Sequence, residues 1–138
     1  MKKYLSIFLI LFAIMATETS CETNGAEQEK SMVDWSPAGK TYIHVASDEV
    51  AKQQGTDYWV NVIHFIDDTQ VEKYNTPNKD LTYNRDYNNY GEFNYAGEYP
   101  RYEFFGKESG ISRFVLKFSD QNTCKFATYE EIYTLFSE

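Results

Sequence analysis

Tyr58-Trp59-Val60-Asn61-Val62-Ile63-His64-Phe65-Ile66 is the stretch that decides the fold. It is rich in β-branched and aromatic residues, which fit a pleated surface better than a helix. In an extended chain successive side chains point to opposite faces, so Tyr58, Val60, Val62 and Ile66 share one face while Trp59, Ile63 and Phe65 share the other. Both faces are apolar, so the strand is expected to be a central one. Asp67-Asp68-Thr69-Gln70 follows as a turn cluster, and Val71 to Tyr74 can return antiparallel.

Working outward, the same grammar repeats. Tyr99 to Phe105 leads into Gly106-Lys107-Glu108-Ser109-Gly110 and then Ile111 to Phe118, an explicit hairpin. Phe114, Leu116 and Phe118 point one way and Arg113 and Lys117 the other, the alternation of a half-exposed strand. Ser119 to Thr123 turns the chain, and Cys124 to Tyr129 with Ile132 to Phe136 supply the closing strand material. Upstream, Tyr42 to Ala46 forms a strand, and Val50 to Gly55 is either one helical turn or a long loop.

Asn75 to Gly97 differs in character. Tyr83, Tyr87 and Tyr90 have helical spacing, but the Asn and Asp residues between them compete for backbone hydrogen bonds. An irregular strand pair or a long surface loop is expected there. Seven or eight strands of about six residues with their turns need roughly 100 residues, which matches the 104 from Trp35 to Glu138. The expected class is all-β, a small antiparallel meander forming a barrel or a sandwich.

The chain of 138 residues is 42% hydrophobic and 17% aromatic, enough to bury a core, with room for one domain. Its formal charge of -8 argues against a nucleic-acid partner, because phosphate binding needs a basic surface. Met1-Lys2-Lys3 is a short basic start, and Tyr4 to Ala16 is apolar apart from Ser6, which is the layout of a signal peptide. Thirteen residues are too few for a helical span, which takes about 20.

After that run, Ala16-Thr17-Glu18-Thr19-Ser20-Cys21 places a small residue directly before a cysteine, and this resembles the lipobox of bacterial lipoproteins. The resemblance covers only the leader, and it departs from the family pattern at Glu18, where an aliphatic residue is usual. It implies that Cys21 is acylated and becomes the new N-terminus. Residues 1–20 then form a signal peptide, 21–34 a lipidated N-terminus and flexible tether, and 35–138 the antiparallel β domain. The protein is expected to be exported and lipid-anchored in the cell envelope, at the outer membrane on its periplasmic or surface side. The alternative is cleavage nearer Ala16 to give a secreted protein in which Cys21 pairs with Cys124, the one bridge two cysteines permit. With Cys21 lipidated, Cys124 is expected to be a buried, inert thiol. The opening from Trp35 to Tyr42 and the following meander also resemble small lipoproteins with lipocalin-like barrels, although Trp35 precedes Gly39 and the Gly-x-Trp signature is not present as such.

The chemistry-bearing residues are sparse. His44 and His64, with Asp67, are the only set that suggests zinc, and no HExxH or close histidine spacing supports it, so no metal or cofactor is expected. There is no GxSxG, P-loop or dinucleotide fingerprint. Asp67-Asp68 and Glu130-Glu131 are adjacent carboxylates whose strand neighbours face opposite ways, and they read as solvated charges. The domain is therefore expected not to be an enzyme. Tyrosine offers a flat ring with a polar tip and asparagine adaptable hydrogen bonding, the composition of many recognition surfaces. Trp35, Trp59, Tyr83, Tyr87 and Tyr90 are the candidate ligand-binding residues, for a small molecule, a sugar or a protein. The same tyrosines equally suit the cover of a sheet with a wet outer face. Three readings follow: a binding protein anchored in the membrane, an accessory subunit of an envelope complex, and, with least support, a hydrolase or metal-dependent enzyme.

Overall fold

The computed structural model describes residues 35–137. Contacts gather Ser36–Glu138 into one compact unit. Its eight strands are β1 (Thr41–Val45), β2 (Val60–Phe65), β3 (Gln70–Thr76), β4 (Gly91–Glu98), β5 (Arg101–Gly106), β6 (Ser112–Asp120), β7 (Thr123–Phe126) and β8 (Ile132–Leu135). Each pairs antiparallel with the next, and β8 returns to β1 through Tyr42↔Leu135 and Ile43↔Thr134, so the meander closes into a barrel. Of the barrel and the sandwich, the barrel is the architecture found. Closure removes the free edges that an open sheet would expose.

An up-and-down meander puts alternate connections at the same end. The turns β2–β3, β4–β5 and β6–β7 lie at one end, called the floor here, and they are tight. At the floor Asp67 holds the β2–β3 turn, its Oδ1 accepting from the backbone N–H groups of Thr69 at 2.7 Å and Gln70 at 2.8 Å. The connections β1–β2, β3–β4, β5–β6 and β7–β8 lie at the other end, the mouth, and they are longer.

The β1–β2 connection contains a helix, α1 (Asp48–Gln53). Ser47 caps it by accepting from Val50 N–H, and Asp48 and Glu49 put negative charge on its first turn, where the helix dipole favours it. Of the two expectations for Val50 to Gly55, the helical turn is the one realised.

The stretch Asn75 to Gly97 divides. Its second half is the regular strand β4, and residues 77–90 form a loop with one 3-10 turn, Arg85–Tyr87. The loop is built as its composition demands: Asp80 Oδ1 accepts from the Thr82 backbone at 3.1 Å and Asn84 Oδ1 from the Asp86 backbone at 3.0 Å. It folds back over the outside of the barrel, where Leu81 packs with Val60, Val62 and Tyr74. Tyr74 Oη donates to the Leu81 carbonyl at 2.7 Å. Leu81 sits at φ 62°, a costly conformation for a residue with a side chain, and burial of that side chain offsets the cost. This lid explains why β2 is apolar on both faces: one face meets the interior and the other meets the loop.

Candidate functional site

Alternation gives every strand one row of side chains facing the barrel interior. At the floor those rows are aromatic. Phe65, fully buried, sits with ring centroids 4.9 Å from Tyr95, 5.9 Å from Phe104, 6.0 Å from Tyr42 and 6.4 Å from both Tyr102 and Phe118. The phenol tips reach backbone carbonyls in the floor turns: Tyr42 Oη donates to Gln121 at 2.8 Å and Tyr95 Oη to Asp67 at 2.7 Å.

Toward the mouth the rows change. On β2 the inward sequence from floor to mouth is Phe65, Ile63, Asn61; on β3 it is Val71, Lys73, Asn75; on β1 it is Tyr42, His44. Register sets Lys73 opposite Ile63 and Asn75 opposite Asn61, so the polar groups lie side by side. The opposite wall stays aromatic, with Phe114 of β6, Phe126 of β7 and Tyr133 of β8. Between the walls is a depression of about 190 Å³, rimmed by Tyr129 and Glu131 from the β7–β8 connection.

Lys73 is the centre of this site. Its Nζ lies 5.9 Å from the ring centroids of both Phe114 and Phe126, within cation–π range. The ion pairs among the described residues are Arg101–Glu103 and Lys107–Glu92, so Lys73 makes none. Loss of hydration holds its ammonium below the usual lysine pKa, and the field of Glu131 opposes that shift. Burial pushes the Tyr133 phenol up, helped by Glu131 and Cys124 and opposed by a hydrogen bond with Asn61. His44 Nδ1 lies 3.0 Å from the Ile132 carbonyl, and its ring is 5.8 Å from that of Tyr133. The Asn75 backbone N–H donates to Asn89 Oδ1 at 3.2 Å, while the Asn75 side-chain amide makes no hydrogen bond to a described residue.

No protein-family model matches the chain, and neither a curated protein nor a solved structure matches it.

The sequence-predicted residues fall into separate places. Trp59 is buried, in phase with the inward row of β2 just beyond its mouth end, and its ring centroid is 4.8 Å from that of Tyr87 in T-shaped contact. Tyr83 and Tyr90 lie on the barrel's outer surface, 5.0 Å apart, and pack on Tyr74 at 5.7 Å and 6.1 Å. Tyr90 Oη donates to Glu72 at 2.6 Å and Glu92 at 2.9 Å, so its polar tip is committed. Trp35 is partly buried and precedes the compact unit. Cys21, the leader and the whole tether lie outside the described residues.

The histidines do not converge. His44 faces the interior near the mouth, whereas His64 faces outward and shares a 2.9 Å hydrogen bond with Thr41. Asp67 is at the floor turn. Cys124 is buried on β7 as a free thiol, and desolvation raises its pKa, which suppresses the reactive thiolate.

The residues missed in the sequence are Lys73, Asn61, Asn75, Glu131 and their aromatic wall. A signal existed for two of them: Asn61 falls in phase with Ile63 and Phe65, and Lys73 in phase with Val71, so polar residues interrupt rows that are otherwise apolar.

Proposed function

We propose that this chain is a non-enzymatic binding protein of the cell envelope, held there by a lipid on Cys21, with a small-molecule site in the barrel mouth. The leader resemblance supports the anchoring. The observation that carries the binding site is Lys73: a charged side chain turned into the barrel, partly stripped of water and without an ionic partner among the described residues. An interior charge is costly unless paired, and a ligand can supply the pairing. The neighbouring Asn61 and Asn75 amides add donors and acceptors that fix orientation, and Phe114, Phe126 and Tyr133 offer apolar contact.

Native mass spectrometry of the purified protein, compared with its denatured mass, tests this. A reproducible non-covalent adduct that is lost in Lys73→Met supports the mouth site. An adduct that persists in Lys73→Met places the ligand elsewhere and overturns it.

A second reading, an accessory subunit docking to another protein, is favoured by one observation. Continuing the β1–β8 register sets Val45 against Ile132, and these are 51% and 56% exposed, an apolar pair at the seam of the barrel. Replacing both with serine is expected to abolish co-purification of a docked partner if this reading holds, and to leave small-molecule binding intact.

A further inference from the structure

The mouth has two charges of opposite sign that do not meet. Lys73 and Glu131 line the same depression, and they are not within 4.0 Å of each other, since Lys73 forms no ion pair among the described residues. Lys73 projects from β3 beside the Asn61 and Asn75 amides, while Glu131 enters from the β7–β8 connection beside Tyr129 and Tyr133. The remaining lining is the rings of Phe114 and Phe126.

A simple anion seated on Lys73 would share the small volume with the Glu131 carboxylate, and a simple cation on Glu131 would share it with the Lys73 ammonium. Each pays like-charge repulsion in a partly desolvated site. A ligand carrying both charges on one short frame satisfies both ends at once.

The geometry points to a small zwitterion as the ligand of the mouth, an α-amino acid with an aromatic body: its carboxylate meets Lys73, its ammonium faces Glu131, and its ring lies against Phe114 and Phe126. This rests on the mouth being the binding site. The Asn61 and Asn75 amides, flanking Lys73, donate to the carboxylate. The volume of about 190 Å³ accommodates a single amino acid. The aromatic wall accepts a ring edge-to-face, the arrangement two of its own members, Phe126 and Tyr133, already adopt at 86°.

Three probes that share one body separate the charges: L-phenylalanine carries both, 3-phenylpropionate lacks the ammonium and 2-phenylethylamine lacks the carboxylate. Each is titrated into the purified protein, and the side-chain amide signals of Asn61 and Asn75 are followed by NMR. L-phenylalanine is expected to move both signals with at least tenfold higher affinity than either analogue. Lys73→Met and Glu131→Gln are each expected to reduce that affinity at least tenfold, and Glu131→Gln to bring 3-phenylpropionate level with L-phenylalanine. Glu131 is exposed, so its replacement does not threaten folding. If 3-phenylpropionate binds as well as L-phenylalanine and ignores Glu131→Gln, the zwitterion inference fails and the mouth survives as an anion site. If none of the three probes moves the amide signals, the inference also fails, and the mass-spectrometric adduct then decides the mouth reading independently.

Discussion

The two ends of this barrel are built from the same strands and do opposite things with them. At the floor, Phe65 is ringed by five aromatic side chains, and the phenol tips of Tyr42 and Tyr95 each find a backbone carbonyl. At the mouth, further along the same rows, Lys73 and Asn75 face the interior without a bonded partner for their side chains among the described residues. The strands do not change between the ends; only the residues in the inward rows do. Stability is therefore concentrated in one half of the interior, and the other half is left free to be chemically specific. Closed sheets allow this because the backbone ladders are satisfied around the whole circumference, whatever the row inside contains.

The sharpest way to break the comparison is at the floor. Phe65→Ala removes the ring around which the aromatic cluster is arranged, and the rigid barrel cannot collapse to fill the space. A loss of about 3–5 kcal/mol is expected, a large share of the roughly 5–15 kcal/mol that holds a typical domain together. Urea unfolding monitored by tryptophan fluorescence checks it. A loss below about 1 kcal/mol would mean the floor is not where the stability resides.

Next in size is Tyr42→Phe, which keeps the ring and deletes the hydroxyl that donates to Gln121. Gln121 is exposed, so water can take up its carbonyl, and the expected loss is the net worth of one hydrogen bond, about 0.5–1.5 kcal/mol. The same substitution carries a pH signature. Burial holds the Tyr42 phenol above its unfolded value near 10, and burial pushes that of Tyr95 up to about 12. Raised phenol pKa values contribute stability that is fully present below pH about 10 and is lost as pH rises through the folded-state values. The parent protein is expected to lose stability steeply above pH 10, and Tyr42→Phe less steeply, as read from urea midpoints at pH 8 and pH 11.

How much of this contrast was legible beforehand depends on which kind of information each end uses. The antiparallel meander and its aromatic rows follow from alternation, with Phe114, Leu116 and Phe118 on one face and Trp59, Ile63 and Phe65 on another; alternation suits a barrel and a sandwich alike, and the β1–β8 pairing is what decides for the barrel. The mouth uses information that alternation does not carry. Lys73 and Asn61 stand twelve residues apart, and only the β2–β3 register brings their strands together; Glu131 arrives from a connection at the far end of the chain. The tyrosines of the β3–β4 loop drew attention because they cluster in sequence. Yet Tyr83 and Tyr90 spend their rings covering Tyr74 on the outer face, and the shared helical spacing of Tyr83, Tyr87 and Tyr90 does not survive the asparagines between them.

At the mouth the expected sign reverses. Because desolvation lowers the pKa of Lys73, the folded state binds its proton less readily than the unfolded chain does. The charged lysine is therefore a cost throughout neutral pH, relieved only as pH rises through its folded value toward the unfolded value near 10.4. Lys73→Met keeps the length of the side chain and removes that cost, so the variant is expected to be more stable at pH 7, by about 1 kcal/mol or less given the residue's partial solvation. Thermal melts at pH 7 and pH 10.5 should show the gain shrinking at the higher pH. Destabilisation at pH 7 would instead make Lys73 part of the packing, as the floor residues are.

The smallest effect is the most discriminating. Asn75 faces the mouth, and its side-chain amide bonds to no described residue, whereas its backbone N–H is already held by Asn89. Asn75→Ala removes the amide and keeps that backbone bond, so no hydrogen-bonding group among the described residues is left unpaired by the change. The expected shift in stability is within about 0.5 kcal/mol in either direction, in contrast to the several kcal/mol at Phe65. Binding at the mouth should nevertheless weaken measurably, because an amide that bonds to no described residue is available to the proposed ligand. A calorimetric titration of L-phenylalanine run beside a urea melt of the same variant separates the two quantities. Unchanged affinity with unchanged stability would make Asn75 a bystander and shift the polar contacts to Asn61; lost affinity with unchanged stability would show that the two ends of the barrel divide folding and recognition between them at the level of single side chains.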